Sequence, residues 1–249
     1  MIFDAKGGNV HFEVTGDNVL IEGITFRNFN FTGYGGAIQW FGKYGILQNC
    51  KFINNTVNGV CGAVHWDGNN GNIIGCTFSG NSAKSDVGAV GWGGINGNII
   101  GCTFSGNSAT HDGGAIAWWN TNGTIFDSSF TNNTASNWGG AIHWYGNNGT
   151  LIDSSFVDNV AKTGGAITWY RTGNMVNCIF VNSKSLQYNG IFAQNNLTIN
   201  NGKGIVNIIA QGTLSGISIV VLNNETYYYP PNTNINFTTK ICKNKNHFC

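Results

Sequence analysis

The chain has 249 residues, 37 of them Gly and only 2 Pro, and 9% of it is charged, against roughly 7% Gly and 25% charged residues in an average soluble domain. With 41% hydrophobic and 13% aromatic residues it has enough apolar surface to bury a core, which excludes intrinsic disorder, and Gly without Pro or a three-residue period excludes collagen. A formal net charge of +1 leaves no electrostatic footprint for nucleic acid or an anionic membrane.

From the N-terminus, Met1-Ile2-Phe3-Asp4-Ala5-Lys6 lacks the basic and apolar regions of a secretory signal, an ambiguous absence because the chain opens inside a repeat. No run of 18 apolar residues follows, so no bilayer span is expected. The seven cysteines contain no CxxC pair, which argues against zinc or thioredoxin-type chemistry.

A motif then recurs in chain order: Gly35-Gly36-Ala37-Ile38-Gln39-Trp40, Cys61-Gly62-Ala63-Val64-His65-Trp66, Val87-Gly88-Ala89-Val90-Gly91-Trp92, Gly113-Gly114-Ala115-Ile116-Ala117-Trp118, Gly139-Gly140-Ala141-Ile142-His143-Trp144 and Gly164-Gly165-Ala166-Ile167-Thr168-Trp169. The copies are offset by 26 residues, the last by 25, within the periods of solenoids. A second ladder, Phe26, Phe52, Phe78, Phe104, Phe130, Phe156 and Phe180, runs in register. Five residues before each Phe stands an aliphatic residue or Met, and two before it stands Ile24, Cys50, Cys76, Cys102, Ser128, Ser154 or Cys178. Three after it comes Asn55, Asn81, Asn107, Asn133 or Asn159, and seven before it Gly45, Gly71, Gly97, Gly123, Gly149 or Gly173.

Stretches free of Gly and Asn are too short for helices and rich in β-branched and aromatic residues. The spacing therefore predicts an all-β, parallel β-helix in which each coil is one unit of about 26 residues and neighbouring coils stack about 4.8 Å apart. Parallel crossovers favour a right-handed coil. Phe and aliphatic stacks would fill the interior, Asn would sit in the left-handed region at a corner and hydrogen-bond to backbone or to the Asn above and below, and Gly would take corners that need positive φ.

Gly-Gly-Ala-Ile followed by Phe-x-x-Asn, as in Phe130 to Asn133 and Phe156 to Asn159, resembles the repeats of the chlamydial polymorphic outer membrane proteins. The Asn-rich style of Ala141-Ile142-His143-Trp144-Tyr145-Gly146-Asn147-Asn148-Gly149-Thr150 is similar to the adhesin-like surface proteins of methanogenic archaea. The resemblance covers about residues 9 to 183. It implies a pectate-lyase-like right-handed β-helix, an extracellular or cell-surface location, and attachment to other cells or glycans. Cys61 and Val87 in place of the first Gly, and Phe29 in place of Asn, depart from the pattern.

After about residue 184 the ladders fade into degenerate coils at Gly190–Ala193 with Leu197–Asn200 and at Gly204–Ile209, as a solenoid's atypical terminal units do. The boundaries expected are a β-helix over 1–210 and a C-terminal β segment over 211–249, read as the start of an immunoglobulin-like module in which Cys242 and Cys249 could pair.

Candidate chemistry is sparse. The Cys ladder exchanges with Ile and Ser, as a small core position does. Asp127 with Asp153, and Asp86 with Asp112, fall on adjacent coils. Either pair suits Ca²⁺ or glycoside hydrolysis, but the other occupants of both positions suggest tolerant corners. His65 and His143 lie three coils apart and cannot share a metal. With Ile116 and Trp118 facing inward, strand alternation points Trp119, Tyr145 and Tyr170 outward as an aromatic stripe suited to sugar rings or a partner surface. Covering a corner or a following domain is the competing role. Asn30, Asn54, Asn122, Asn132, Asn148, Asn196, Asn224 and Asn236 begin N-glycosylation triplets, which this composition produces by chance. The reading is a non-enzymatic, cofactor-free, adhesin-like surface protein that binds glycans or other cells, with a polysaccharide lyase or hydrolase and a purely structural stalk as alternatives.

Overall fold

The computed structural model describes residues 1–188 and, beyond them, the strand segments 191–193, 197–200, 203–204, 208–210, 213–215, 219–222, 225–228 and 235–236. It is a parallel β-solenoid of about 7 coils with about 26 residues per turn. Among the described residues no helix is long and apolar enough to cross a membrane.

Each coil supplies a short strand to four parallel ladders. One runs through Ile38–Trp40, Val64–Trp66, Val90–Trp92, Ile116–Trp118, Ile142–Trp144 and Ile167–Trp169. A second holds Asn72–Ile74 and Asn98–Ile100, a third Thr77–Ser79 and Thr103–Ser105, and a two-residue fourth Ser82–Ala83 and Ser108–Ala109. Pairing is in register at the repeat offset, Trp66 with Trp92, Ile73 with Ile99 and Phe78 with Phe104, so every sequence ladder is a physical stack.

The six Trp of the repeated motif are fully buried, as are the Phe from Phe52 to Phe156. Successive Phe rings lie 4.8–4.9 Å apart and within 9° of parallel, and successive Trp rings 4.2–5.0 Å apart. Burying each ring contributes about 2–3 kcal/mol, and each stacked pair adds about 1 kcal/mol.

Two polar ladders run inside the wall. Asn81 donates from Nδ2 to Asn107 Oδ1 (2.9 Å) and to the Phe52 carbonyl (3.0 Å), and its backbone N–H also meets Asn107 Oδ1 (3.0 Å). The same pattern joins Asn55, Asn107, Asn133 and Asn159. The Cys column works likewise, since the Cys76 N–H meets Cys102 Sγ (3.4 Å) and the Cys102 N–H meets Ser128 Oγ (3.1 Å). Cys and Ser exchange there because both accept the N–H of the preceding coil.

Two expectations about corners are corrected. The interior Asn are buried rather than in the left-handed region; the residues just before them, Asn54, Gly80, Gly106, Asn132 and Asp158, adopt φ of 53–63°. Gly does take left-handed corners, as at Gly75, Gly101, Gly113 and Gly139, but the Gly at 45, 71, 97, 123, 149 and 173 have no positive φ; each is required because the indole of the preceding Trp occupies the space of a side chain. Asp127 and Asp153, at φ 48 and 50, share a left-handed position with Asn49, Gly75 and Gly101, which accounts for them as corner residues.

The degenerate coil is present, with Ile191–Ala193 pairing parallel with Ile167–Trp169 and Leu197–Asn200 with Gly173–Val176. Thr213–Ser215 adds to the same wall, and Ile219–Leu222 pairs antiparallel with Glu225–Tyr228. Cys242, Cys249 and most of the segment read as immunoglobulin-like lie outside the described residues.

Candidate functional site

The outer surface of the Trp sheet carries the molecule's chemically varied residues. Between the buried Ile or Val and the buried Trp of each strand, one residue faces away from the core: Gln39, His65, Gly91, Ala117, His143 or Thr168. Strand alternation alone would leave these in solvent, yet Gly91, Ala117, His143 and Thr168 are buried. The reason is a second layer. Side chains before the left-handed turn and after the Trp fold over this column from both sides.

Over the earlier coils the cover is apolar. Cys61 and Val87 occupy the left-handed turn at φ 70 and 69, strained for side-chain-bearing residues, and form a small cluster with Ala117 against which Trp119 and Val60 pack. Gly91 is needed beneath it, because a Cβ there would lie 2.6 Å from Trp119 Cη2. His65 completes this group, 5.8 Å from the Trp119 ring and 5.2 Å from Tyr34, with Nδ1 3.2 Å from Asp67 Oδ2.

Over the later coils the cover is polar and aromatic. The His143 ring forms its floor, 5.7 Å from Trp138, 5.2 Å from Tyr170 and 6.5 Å from Tyr145. Trp138 and Tyr170 meet edge to face at 5.5 Å, and Tyr145 and Tyr170 lie 5.5 Å apart. Tyr145 is 44% exposed and Trp138 40%. Arg171 sits over the Tyr145 ring at 5.2 Å, a cation–π contact.

The three residues expected to form one stripe thus divide. Tyr145 and Tyr170 come together; Trp119 turns to His65 and the Cys61–Val87 cluster, and among the described residues no ring contact joins it to Tyr145. Trp138 is the aromatic residue that sequence reasoning missed. It occupies the Asp112 column, read as a tolerant corner, and its signal was a second aromatic position five residues before His143.

Besides Asp67 and Arg171, this face carries the carboxyls of Asp86 and Asp112. Asp86 Oδ1 accepts the Asp112 N–H at 3.3 Å and lies 3.7 Å from His111 Nδ1, while Asp112 Oδ2 lies 3.7 Å from His143 Nδ1. Burial, then the neighbouring Asp86 charge, pushes the Asp112 carboxyl up to about 6. Burial holds the His143 imidazole down at about 4, so at neutral pH the pair is a carboxylate beside a neutral ring and the contact is no salt bridge. Burial and then the Asp112 charge push the Tyr170 phenol up to about 12. Asn137 and the Trp138 backbone N–H hydrogen-bond the Asp112 carboxyl, while His143 Nε2 is buried without a hydrogen-bond partner. Among the described residues no three His, Cys, Asp or Glu are grouped to hold a metal.

Residues 101–117 and 127–143 each match the Chlamydia polymorphic membrane protein repeat. The two stretches lie on consecutive coils, and each runs from a left-handed corner, Gly101 or Asp127, to the outward column, Ala117 or His143. No curated protein and no solved structure matches the chain significantly.

Proposed function

We propose that this chain acts at the cell surface as an adhesin-like β-solenoid, holding glycans or other cells without transforming them. The match to a repeat of Chlamydia polymorphic membrane proteins supports a surface protein on this scaffold. The observation that carries the binding reading is the second layer on the Trp sheet, where Trp138, Tyr145 and Tyr170 gather over His143 on neighbouring coils. Aromatic faces held on a rigid sheet stack on the apolar faces of sugar rings at little cost in side-chain entropy.

The test is retention on a glycan array and on intact cells, with Tyr145→Ala and Tyr170→Ala against Phe126→Ala on another face. Loss in the first two variants alone supports the reading; equal retention in all three overturns it. Asp86 and Asp112, with the raised Asp112 carboxyl, favour a second reading as a polysaccharide hydrolase, since a carboxyl near 6 suits a general acid. Release of new reducing ends that Asp112→Asn abolishes would replace binding with catalysis. A stalk would retain nothing and release nothing.

A further inference from the structure

We propose that the outer face of the Trp sheet holds a second sugar site, built on Tyr34, His65 and Trp119, and that one linear, unbranched glycan lying along the solenoid axis occupies it together with the His143 cluster. The inference rests on the His143 cluster being a sugar platform, and it adds a second platform and a minimum length for the ligand.

The two sites share one plan. His65 and His143 stand in the same outward column, joined through Gly91 and Ala117 by three in-register strand pairings, which separates them by about 14 Å along the axis. Each imidazole is a floor with an aromatic side chain on either flank. Over His65 the flanks are Tyr34 at 5.2 Å and Trp119 at 5.8 Å; over His143 they are Trp138 at 5.7 Å and Tyr170 at 5.2 Å. Tyr34 and Trp138 each stand immediately before a left-handed Gly, Gly35 or Gly139, and Trp119 and Tyr170 each follow a buried Trp, so both sites draw on the same two columns. Tyr34 is 53% exposed and Trp119 half-buried. Between the floors the outward column holds only Gly91 and Ala117, both small and buried, and it raises no barrier.

Two ring platforms in a straight line fit a ligand whose own ring faces recur along a straight line, as those of an unbranched glycan do. An extended peptide lacks its usual foothold here, because Val64–Trp66 and Ile142–Trp144 are each paired on both sides and leave no edge to which a strand could add. Rings fixed on a paired sheet lose little entropy when a sugar stacks on them. A chain held at one platform meets the other intramolecularly, so length raises affinity without new chemistry.

The test is calorimetry with cello-, xylo-, manno- and N-acetylchito-oligosaccharides, each as the disaccharide, too short to span both platforms, and as the hexamer. The proteins are the parent chain, Tyr34→Ala and Tyr44→Ala, the last removing an equally exposed ring outside both clusters. For a series that binds, the parent is expected to take two disaccharides but one hexamer, the hexamer at least tenfold more tightly. Tyr34→Ala should still take one disaccharide, which shows that it is folded, and should lose the advantage of the hexamer, while Tyr44→Ala should match the parent. One disaccharide per parent chain, a hexamer no tighter than the disaccharide, or an advantage that survives Tyr34→Ala overturns the second site and leaves the His143 platform standing. If no series binds, both fall together. Cell adhesion that withstands periodate cleavage of surface sugars but not proteolysis overturns the glycan assignment in favour of a protein partner.

Discussion

The indole of Trp66 fills the space that a side chain on Gly71 would need: a Cβ there would lie 2.5 Å from Cε2, Cζ2 and Nε1. The same indole donates to the Gly68 carbonyl at 2.9 Å. Gly71 has an ordinary backbone, whereas Gly101 sits at φ +61 with nothing near its absent side chain. Gly71→Ala must displace a fully buried ring and should cost about 1–3 kcal/mol or more, while Gly101→Ala costs about 1–2 kcal/mol for the left-handed backbone. Urea unfolding of both variants checks this; a smaller loss for Gly71→Ala would mean that the indole can shift freely.

Asn107 is the middle of the buried amide ladder. Replacing it with Ala takes the acceptor from the Asn81 N–H and one partner each from Asn81 Nδ2, the Phe78 carbonyl and Asn133 Oδ1, while Nδ2 keeps the Phe52 carbonyl and Asn133 Oδ1 keeps the main-chain N–H of position 107. At about 1–3 kcal/mol for the unpaired donor and about 1 kcal/mol for each further bond lost, a loss of several kcal/mol is expected. Asn98→Ala on the outer surface, where a half-buried amide donates to Asn72 Oδ1 at 2.9 Å, should stay within about 0.5 kcal/mol. Comparable losses would show that the interior ladder tolerates gaps.

The Asp112–His143 pair gives opposite pH dependences. Asp112 is raised from 3.8 to about 6, so its contribution is fully present below 3.8 and is lost as pH rises through about 6. His143 is lowered from 6.5 to about 4, so its contribution is present above 6.5 and is lost as pH falls through about 4. Between those limits the two slopes oppose one another. Relative to the parent chain, Asp112→Asn should lose melting temperature from pH 6.5 to 4, and His143→Asn should gain it. Parallel curves for all three proteins would mean that neither group is perturbed.

The described thiols should be silent in the folded chain. Cys50, Cys61, Cys76, Cys102 and Cys178 are free and buried; burial pushes the Cys61 thiol up, and burial chiefly pushes that of Cys178 up to about 12, whereas the hydrogen bond with Cys76 pulls the Cys102 thiol down, so that burial alone shields it. In a Cys242→Ser, Cys249→Ser background, a thiol reagent should label none of the five until denaturant is added, since the thiolate is the reactive form. Labelling without denaturant would mean that the coils open locally.

Repetition made the fold legible. A side chain recurring at one position per unit has the same surroundings in every coil, so burial of Phe104 or Trp118 and the pairing of Phe78 with Phe104 follow from spacing alone. The same logic misread single features whose reason is local geometry. Gly71 looks like a turn residue in a string of letters, yet it is required by an indole five residues earlier.

The amino-acid sequence by itself determined the solenoid, its period, the identity of its stacked core and the inward set of Trp, because each depends only on periodicity and on alternation along a strand. What sits on the outer face was decided by tertiary structure. Tyr145, Tyr170 and Trp138 converge over His143, and Trp119 departs towards Cys61 and Val87, because side chains from two flanks of different coils meet over one column. That meeting depends on which way each ring turns after the chain leaves the strand, and no repeat rule sets it, since the residues concerned are the ones that do not repeat.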